Sequence, residues 1–279
     1  MNTAVVIIPV WRRPEMLAIC LKRIKEAKDW NLNYYLFTFD EGAETSDNLK
    51  VIRDSKLPYY CLYHQQRMCE GNSYNILDGL EFALDTASRS NSDIIHLLEE
   101  DIWIAKDYFQ FHRQVHDRFD PWVVSACRNQ HMYPDPPVKP NLVYSSIDYQ
   151  SLGISFAIDA VQEIIVHNTP DYYNNMTGYI RTMFPNSRYG SLFPEQDGLI
   201  QRIMEKHNYE TMYPYAPRAF HAGFYSYHRS GKEPTGTLKE KIDYLEKITE
   251  AEMNNNSSYK DIRFLPNYEG YGEVNLEYK

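Results

Sequence analysis

The stretch Ser92 to Lys106, SDIIHLLEEDIWIAK, limits the folds open to this chain more than any other. Its apolar run, Ile94, Ile95, Leu97 and Leu98, predicts a strand buried on both faces, as in a parallel sheet covered by helices on each side. The run ends in three consecutive carboxylates, Glu99, Glu100 and Asp101. Clustered negative charge at the end of a buried strand is costly in desolvation and mutual repulsion unless a cation lies there. Hard oxygen donors suit Mg²⁺ or Mn²⁺, and open α/β sheets hold their ligands at the carboxyl ends of the strands. The stretch therefore predicts a metal platform at a strand end, with an acidic turn facing solvent as the competing expectation.

The residues before it extend the pattern. Ala4 to Val10 is a β-branched run ending at Trp11, Arg12 and Arg13, and Pro14 stands where a first helical residue belongs. Leu17, Cys20, Leu21, Ile24 and Ala27 then repeat at helical spacing. Tyr34 to Phe39 is a second strand, stopped by the turn Asp40, Glu41 and Gly42. A short helix near Asp47 to Asp54, a strand Tyr59 to Tyr63 and a helix Asn72 to Ala87 lead into the acidic stretch. Strand and helix alternate in a way that predicts an α/β fold with a mostly parallel sheet and helices on both faces.

Regularity weakens further on. Lys106 to Phe119 reads as a helix and Trp122 to Cys127 as a strand, but Asn129 to Asp148, with Pro134, Pro136, Pro137 and Pro140, reads as a loop lying over the site. Gly153 to Ile158 predicts a short strand, Ala160 to Val166 a short helix, and Thr169 to Ser191 an irregular insertion. A helix begins after Pro194 with Leu199, Ile200, Ile203 and Met204 on its apolar face, and a last one spans Leu238 to Ile248. The organisation expected is a first half over 1–127, a second half over 128–237 and a C-terminal helix and tail over 238–279, all in one domain.

Composition excludes several classes. With 43% hydrophobic residues among 279, the chain has ample material for a core, yet no run of about 18 apolar residues that would span a bilayer. Its N-terminus lacks the pattern of a signal peptide, so a cytoplasmic protein is expected. Cys20, Cys61, Cys69 and Cys127 show no zinc spacing and are expected as reduced thiols. A net charge of −9 argues against a surface that binds nucleic acid mainly by neutralising phosphates. The 24 tyrosines offer stacking faces with a hydrogen-bonding tip, which suits sugar or base recognition, although most tyrosines simply pack.

The order IIPVWRRPEML, FTFDEG, GNSYNILDGLEFAL, IIHLLEEDIWIAKDYF, FPEQDGLIQRI and APRAFHAGFYSYHR resembles nucleotide-sugar glycosyltransferases of the GT-A fold, a Rossmann-like α/β architecture with irregular acceptor-side loops. The EED strand end followed by IAKDYF looks most like the branch containing N-acetylglucosaminyltransferase I. The resemblance spans most of the chain, and its specificity lies in the order of short pieces.

What the resemblance implies is a metal-dependent, inverting transfer from a uridine diphosphate sugar, with Mn²⁺ or Mg²⁺ as cofactor. Asp101 matches the aspartate that meets the metal, with Glu99 beside it, while Glu100 stands where aspartate is commoner, on the donor side. Pro9, Val10, Trp11 and Arg12 would wrap base and ribose, and Asp40 would bond a uracil edge. For Arg12 and Arg13 the alternative is plain solvation beside a turn. Asn72 and Asn75 would approach the nucleotide, with a helix cap as the alternative, and Gly153 would admit the donor sugar or serve a turn. Asp197 matches the general base, with Glu195 as its competitor, although both also suit a helix N-terminus. Arg218 and Arg229 would neutralise the leaving diphosphate, and His221 would complete the metal shell or pack among aromatics. The acceptor would be a hydroxyl on a glycan, lipid, protein or hydroxymethylated DNA base. A binding domain that kept the fold and lost turnover is the other reading, since fold alone does not prove activity. A nucleotidyltransferase is disfavoured because no glycine-rich loop follows the first strand.

Overall fold

Every residue of the first strand, β1 (Ala4–Val10), is buried, and its alternation feeds two separate cores. Val5 and Ile7 face one layer, while Val6, Ile8 and Val10 face the other. A strand covered on both sides needs helices on both sides, and the computed structural model supplies them. It describes residues 3–66, 68–69, 72–127, 142–222 and 234–255.

The chain runs from β1 into α1 (Pro14–Glu26), a 3-10 turn (Trp30–Leu32), β2 (Asn33–Phe39), α2 (Ser46–Ser55), β3 (Tyr59–Tyr63), α3 (Ser73–Ser90) and β4 (Ile94–Leu97). It continues through β5 (Ile102–Ile104), α4 (Tyr108–Phe119), β6 (Val123–Ser125), β7 (Val143–Ser146), β8 (Ile154–Ala157) and α5 (Ile158–Ile165). The remaining elements are α6 (Pro170–Asn174), α7 (Met176–Met183), α8 (Gln196–His207), β9 (Thr211–Pro214), β10 (Ala219–His221) and α9 (Leu238–Asn255).

The large sheet has the order β3-β2-β1-β4-β8-β6-β9-β7. β3, β2, β1 and β4 are parallel, β8 is reversed, β6 and β9 run with the first four, and β7 at the edge is reversed again. One core layer joins α3, α5 and α8 to the sheet through Ile76, Leu80, Ile164 and Ile200. On the other, α1 buries Leu17, Cys20, Leu21 and Ile24, each such side chain contributing about 1.5–3 kcal/mol. α9 packs beyond α1, with Leu245 beside Met16, Ile19 and Trp103.

Two segments read from sequence as irregular contain regular elements among their described residues. The segment Asn129 to Asp148 contains β7, which pairs antiparallel with β9 through Val143 and Pro214, while 128–141 lie outside the described residues. Thr169 to Ser191 contains α6 and α7, capped by Thr169 Oγ1 accepting from Tyr172 N (3.4 Å) and Asn175 Oδ1 accepting from Gly178 N (2.9 Å). Helices this short complete too few turns to print an apolar period, so only their caps announce them. Among the described residues no helix is long and apolar enough to cross a membrane.

Candidate active site

The strand order fixes where loops part. β1 continues into α1 on one layer, whereas β4 is reached from α3 on the other, so a crevice opens at the carboxyl ends of β1 and β4. The β1–β4 ladder pairs Ile7 with Leu97, and Leu98 N donates to Ile7 O at 2.9 Å. The next residues on β4, Glu99, Glu100 and Asp101, thus emerge beside Pro9, Val10 and Trp11.

Here the acidic turn meets its cation. Arg13 Nε donates to Glu100 Oε1 at 2.7 Å and its NH1 donates to Asp101 Oδ2 at 2.9 Å. Glu100 Oε2 also accepts from Trp11 N at 2.9 Å. The alternative of plain solvation does not hold for Arg13, which clamps the turn because β1 and β4 are neighbours and their ends must converge. Burial lifts the Glu100 carboxyl to about 7 against the pull of Arg13 and the Trp11 N–H. Burial also opposes ionisation of Asp101, but His221 and Arg13 outweigh it and hold that carboxyl at about 2. Glu99 is raised to about 8 by burial and by the charges of Asp101 and Asp197.

β10 returns the chain to this turn. It pairs antiparallel with β5, His221 opposite Ile102, and sets His221 Nε2 3.5 Å from Asp101 Oδ2. Arg218, expected at a leaving group, does not join the crevice. It is fully buried over the Phe111 ring, donating from NH1 to Ala216 O at 2.6 Å and from Nε toward Asp107 at 3.4 Å. The strand that delivers His221 to the turn leaves Arg218 in the interior. Arg229 lies outside the described residues.

On the β2 side, Asp40 is buried at the strand end, where its Oδ1 accepts from Glu41 N at 2.8 Å. Arg12 reaches across to Gly42 O (3.1 Å) and lies near the ring of the half-exposed Trp11. Asn48 Nδ2 ties the two loops, donating to Trp11 O and Ala43 O. Asn72 occupies the N-cap position of α3 without capping it, and its Oδ1 accepts instead from Asn75 Nδ2 at 3.2 Å. Asn75 is buried and donates also to Thr38 O, so it joins α3 to β2. Gly153 has φ +63, and a Cβ there would stand 2.9 Å from that of Ala219, so both backbone and packing call for glycine.

The second half reaches the same place through α8. Gln196 N donates to Ser73 Oγ at 3.1 Å, which joins the first turns of α3 and α8. Asp197 sits in that turn, its Oδ2 accepting from Ser151 Oγ at 3.1 Å. It is accessible to solvent, and crowding by the surrounding protein is the first cause of the rise of its carboxyl to about 6. The Ser151 bond resists the rise and Glu195 adds to it. Glu195, at the N-cap of α8, is exposed and makes no side-chain cap.

Fixed loops frame Asp197. Arg202, almost fully buried, donates to the carbonyls of Gly190 (2.9 Å), Phe193 (3.3 Å) and Gly198 (2.6 Å). Gln201 bonds Tyr149 N and Ile147 O on the other side. The Phe193 carbonyl lies so close to Gly198 that a Cβ there would stand 1.7 Å from it. Leu192 and Phe193 are consequently held outward, 66% and 70% exposed, a few residues from the carboxylate. Sequence reasoning missed Arg13, Ser151 and Arg202. Only Arg13 had a signal, as a cation directly after β1.

A divalent ion fits this donor set in one way. Among the described residues no cluster of three or more His, Cys, Asp or Glu is arranged to enclose a metal. Both Glu100 oxygens are engaged, but Asp101 Oδ1 is buried with no hydrogen-bond partner among the described residues. Mg²⁺ and Mn²⁺ sites commonly use one or two carboxylates and take their remaining ligands from phosphates and water, which Asp101 with Glu99 satisfies.

No protein-family model matches the chain, and no curated protein sequence matches it. Among solved structures it is similar to that of S. aureus TarS 1-349 in complex with UDP, with a TM-score of 0.51 and 9% identity over 91% of this chain and 66% of that one. Similarity to the structure of S. aureus TarS gives 0.50 and 9% over 91% of this chain and 40% of that one. A cytidylyltransferase from Leptospira borgpetersenii serovar Hardjo-bovis (strain JB197) gives 0.48 and 12%, over 96% and 99%. The likeness to TarS shows a shared fold, and the mainly parallel sheet with helices on both faces is the Rossmann-like, GT-A arrangement expected from the sequence.

Proposed function

We propose that this chain is a glycosyltransferase that takes a sugar from a uridine diphosphate donor and passes it, with inversion, to an acceptor hydroxyl. One observation carries the reading: Gln196 N ties the first turn of α8 to that of α3 through Ser73 Oγ (3.1 Å), and Asp197 is bonded to Ser151, two residues before the Gly153 that packs on Ala219 and Ile102, so the carboxylate of α8 stands on the same side of the sheet as the acidic turn. Donor and acceptor machinery have to meet in that way. The likeness in fold to the UDP complex of TarS supports a nucleotide on the β1–β2 side, beside Pro9, Val10, Trp11 and Arg12, with Asp40 toward the base. The EED turn keeps the N-acetylglucosaminyltransferase I-like branch within the proposal.

Asp197 acts as the base. The acceptor oxygen forms a bond to the anomeric carbon, the bond from that carbon to the diphosphate breaks, and the proton moves to an Asp197 oxygen. Ser151 holds the other side of that carboxylate in place. Asp101 Oδ1 and Glu99 would hold a divalent ion, with His221 beside them, and the ion would supply charge stabilisation to the leaving diphosphate. Gly153 and Glu100 serve the shape of the crevice.

A panel of UDP sugars, incubated with the protein and Mn²⁺, tests this through release of UDP. At least one donor is expected to be hydrolysed slowly without acceptor and faster with a sugar-alcohol acceptor. Release from no donor, together with condensation of CTP and a sugar phosphate, would replace the reading with nucleotidyl transfer.

A further inference from the structure

Arg13 has no part in the chemistry above, yet it holds two of the three carboxylates of the turn, Glu100 at 2.7 Å and Asp101 at 2.9 Å. The Glu100 side chain is 2% exposed, and its second oxygen is taken by Trp11 N. Among the described residues Asp101 offers one oxygen without a hydrogen-bond partner, Oδ1, attached to the same carboxylate that Arg13 holds through Oδ2. An ion on Oδ1 would therefore sit within a few ångströms of a permanent guanidinium charge, in a partly desolvated place where like charges repel strongly. A single carboxylate oxygen, with Glu99 nearby, does not offset that repulsion. A diphosphate does, since it brings several negative charges and further ligand oxygens at once.

We propose that Arg13 makes metal binding conditional on nucleotide: by neutralising Glu100 and Asp101 it refuses a free divalent ion and admits one only together with a diphosphate. The arrangement deepens the glycosyltransferase reading and rests on it for the identity of the diphosphate. Its consequence is order. Donor and metal enter as one complex, and once diphosphate leaves, the ion has no reason to stay.

The test is calorimetric titration of MnCl₂ into the protein, alone and with saturating UDP, with free Mn²⁺ followed by electron paramagnetic resonance. The wild type is expected to bind Mn²⁺ alone only in the millimolar range and at least about a hundredfold more tightly with UDP. Arg13→Gln removes the charge and is expected to tighten binding of Mn²⁺ alone by about tenfold or more, while Arg13→Lys, which keeps it, stays within a few-fold of wild type. Equal affinity of the wild type for Mn²⁺ with and without UDP would overturn the proposal, as would a folded Arg13→Gln protein that gains nothing. If Arg13→Gln does not fold by circular dichroism, Arg13→Met takes its place, and a folded Arg13→Met protein that binds Mn²⁺ alone no more tightly than wild type overturns the proposal. Failure of UDP to bind under any condition would sink the glycosyltransferase reading instead, while a gain of Mn²⁺ binding in Arg13→Gln would leave the exclusion by Arg13 standing.

Discussion

Asp197→Asn is expected to lower sugar transfer at least about a hundredfold while UDP affinity stays within about twofold of wild type, the signature of losing a general base. The carboxylate lies in the first turn of α8, bonded to Ser151 at 3.1 Å, and its hydrogen bonds among the described residues reach no residue of β1, β2 or their following loops. Since its carboxyl is raised to about 6 and a base works deprotonated, kcat/KM should climb with pH through about 6 and level off above it. That limb should be absent in the residual activity of Asp197→Asn. Glu195→Gln, altering an exposed neighbour without a cap bond, should cost a few-fold at most. Parallel loss of UDP affinity and transfer in Asp197→Asn would make the residue structural, and a greater loss in Glu195→Gln would move the base there.

The second large effect concerns stability in acid. His96, His112 and His116 cluster behind the sheet, with His112 Nδ1 2.6 Å and His116 Nε2 2.9 Å from the Ser155 hydroxyl, and the rings of His96 and His112 5.1 Å apart. Burial, with each other and with Arg113 or Arg218, depresses all three, His116 to about 3 despite the nearby Asp93. A depressed histidine leaves the unfolded chain binding more protons below its ordinary pKa of about 6.5, so stability falls as pH falls. The site carboxyls act in the opposite sense. Glu99, Glu100 and Asp197, raised to about 8, 7 and 6, take up protons in the folded state first and add stability on acidification until their unfolded values are reached. The two sets offset each other from pH 6.5 to about 4.5, with Asp197 weighing least because it is open to solvent. Below that the histidines act unopposed, and the pairing that holds Asp101 at about 2 is lost as well. Urea unfolding should therefore show a shallow plateau down to about pH 4.5 and then a steep loss of stability as pH falls further, in the direction set by the buried histidines. A steady decline beginning at pH 6.5 would mean the carboxyls are not raised, and stability unchanged to pH 3 would mean the histidines are not protected.

The strands and most helices were legible because burial on two faces leaves continuous apolar runs. Ile94 to Leu98 and Ala4 to Val10 could be little else. The acidic turn was legible for the same reason, since its charges interrupt such a run. What could not be read were features that depend on neighbours remote in sequence. Arg13 stands in the sequence only as a cation at a turn, and the adjacency of β1 and β4 is what gives it Glu100 and Asp101 as partners. Arg218 looked like one cation in a basic segment, and only the β5–β10 pairing shows that its alternation points inward while His221 reaches Asp101. Ser151 and Arg202 carry no motif at all. Their roles follow from where α8 docks.

The most direct test of a nucleotide crevice between β1, β2 and the acidic turn is calorimetric titration of UDP into the wild type and Asp40→Asn in the presence of Mn²⁺. Saturable binding in the micromolar range by the wild type, weakened at least about tenfold in Asp40→Asn, is the predicted result. No saturable heat with the folded wild type, or equal affinity in the two proteins, would contradict it.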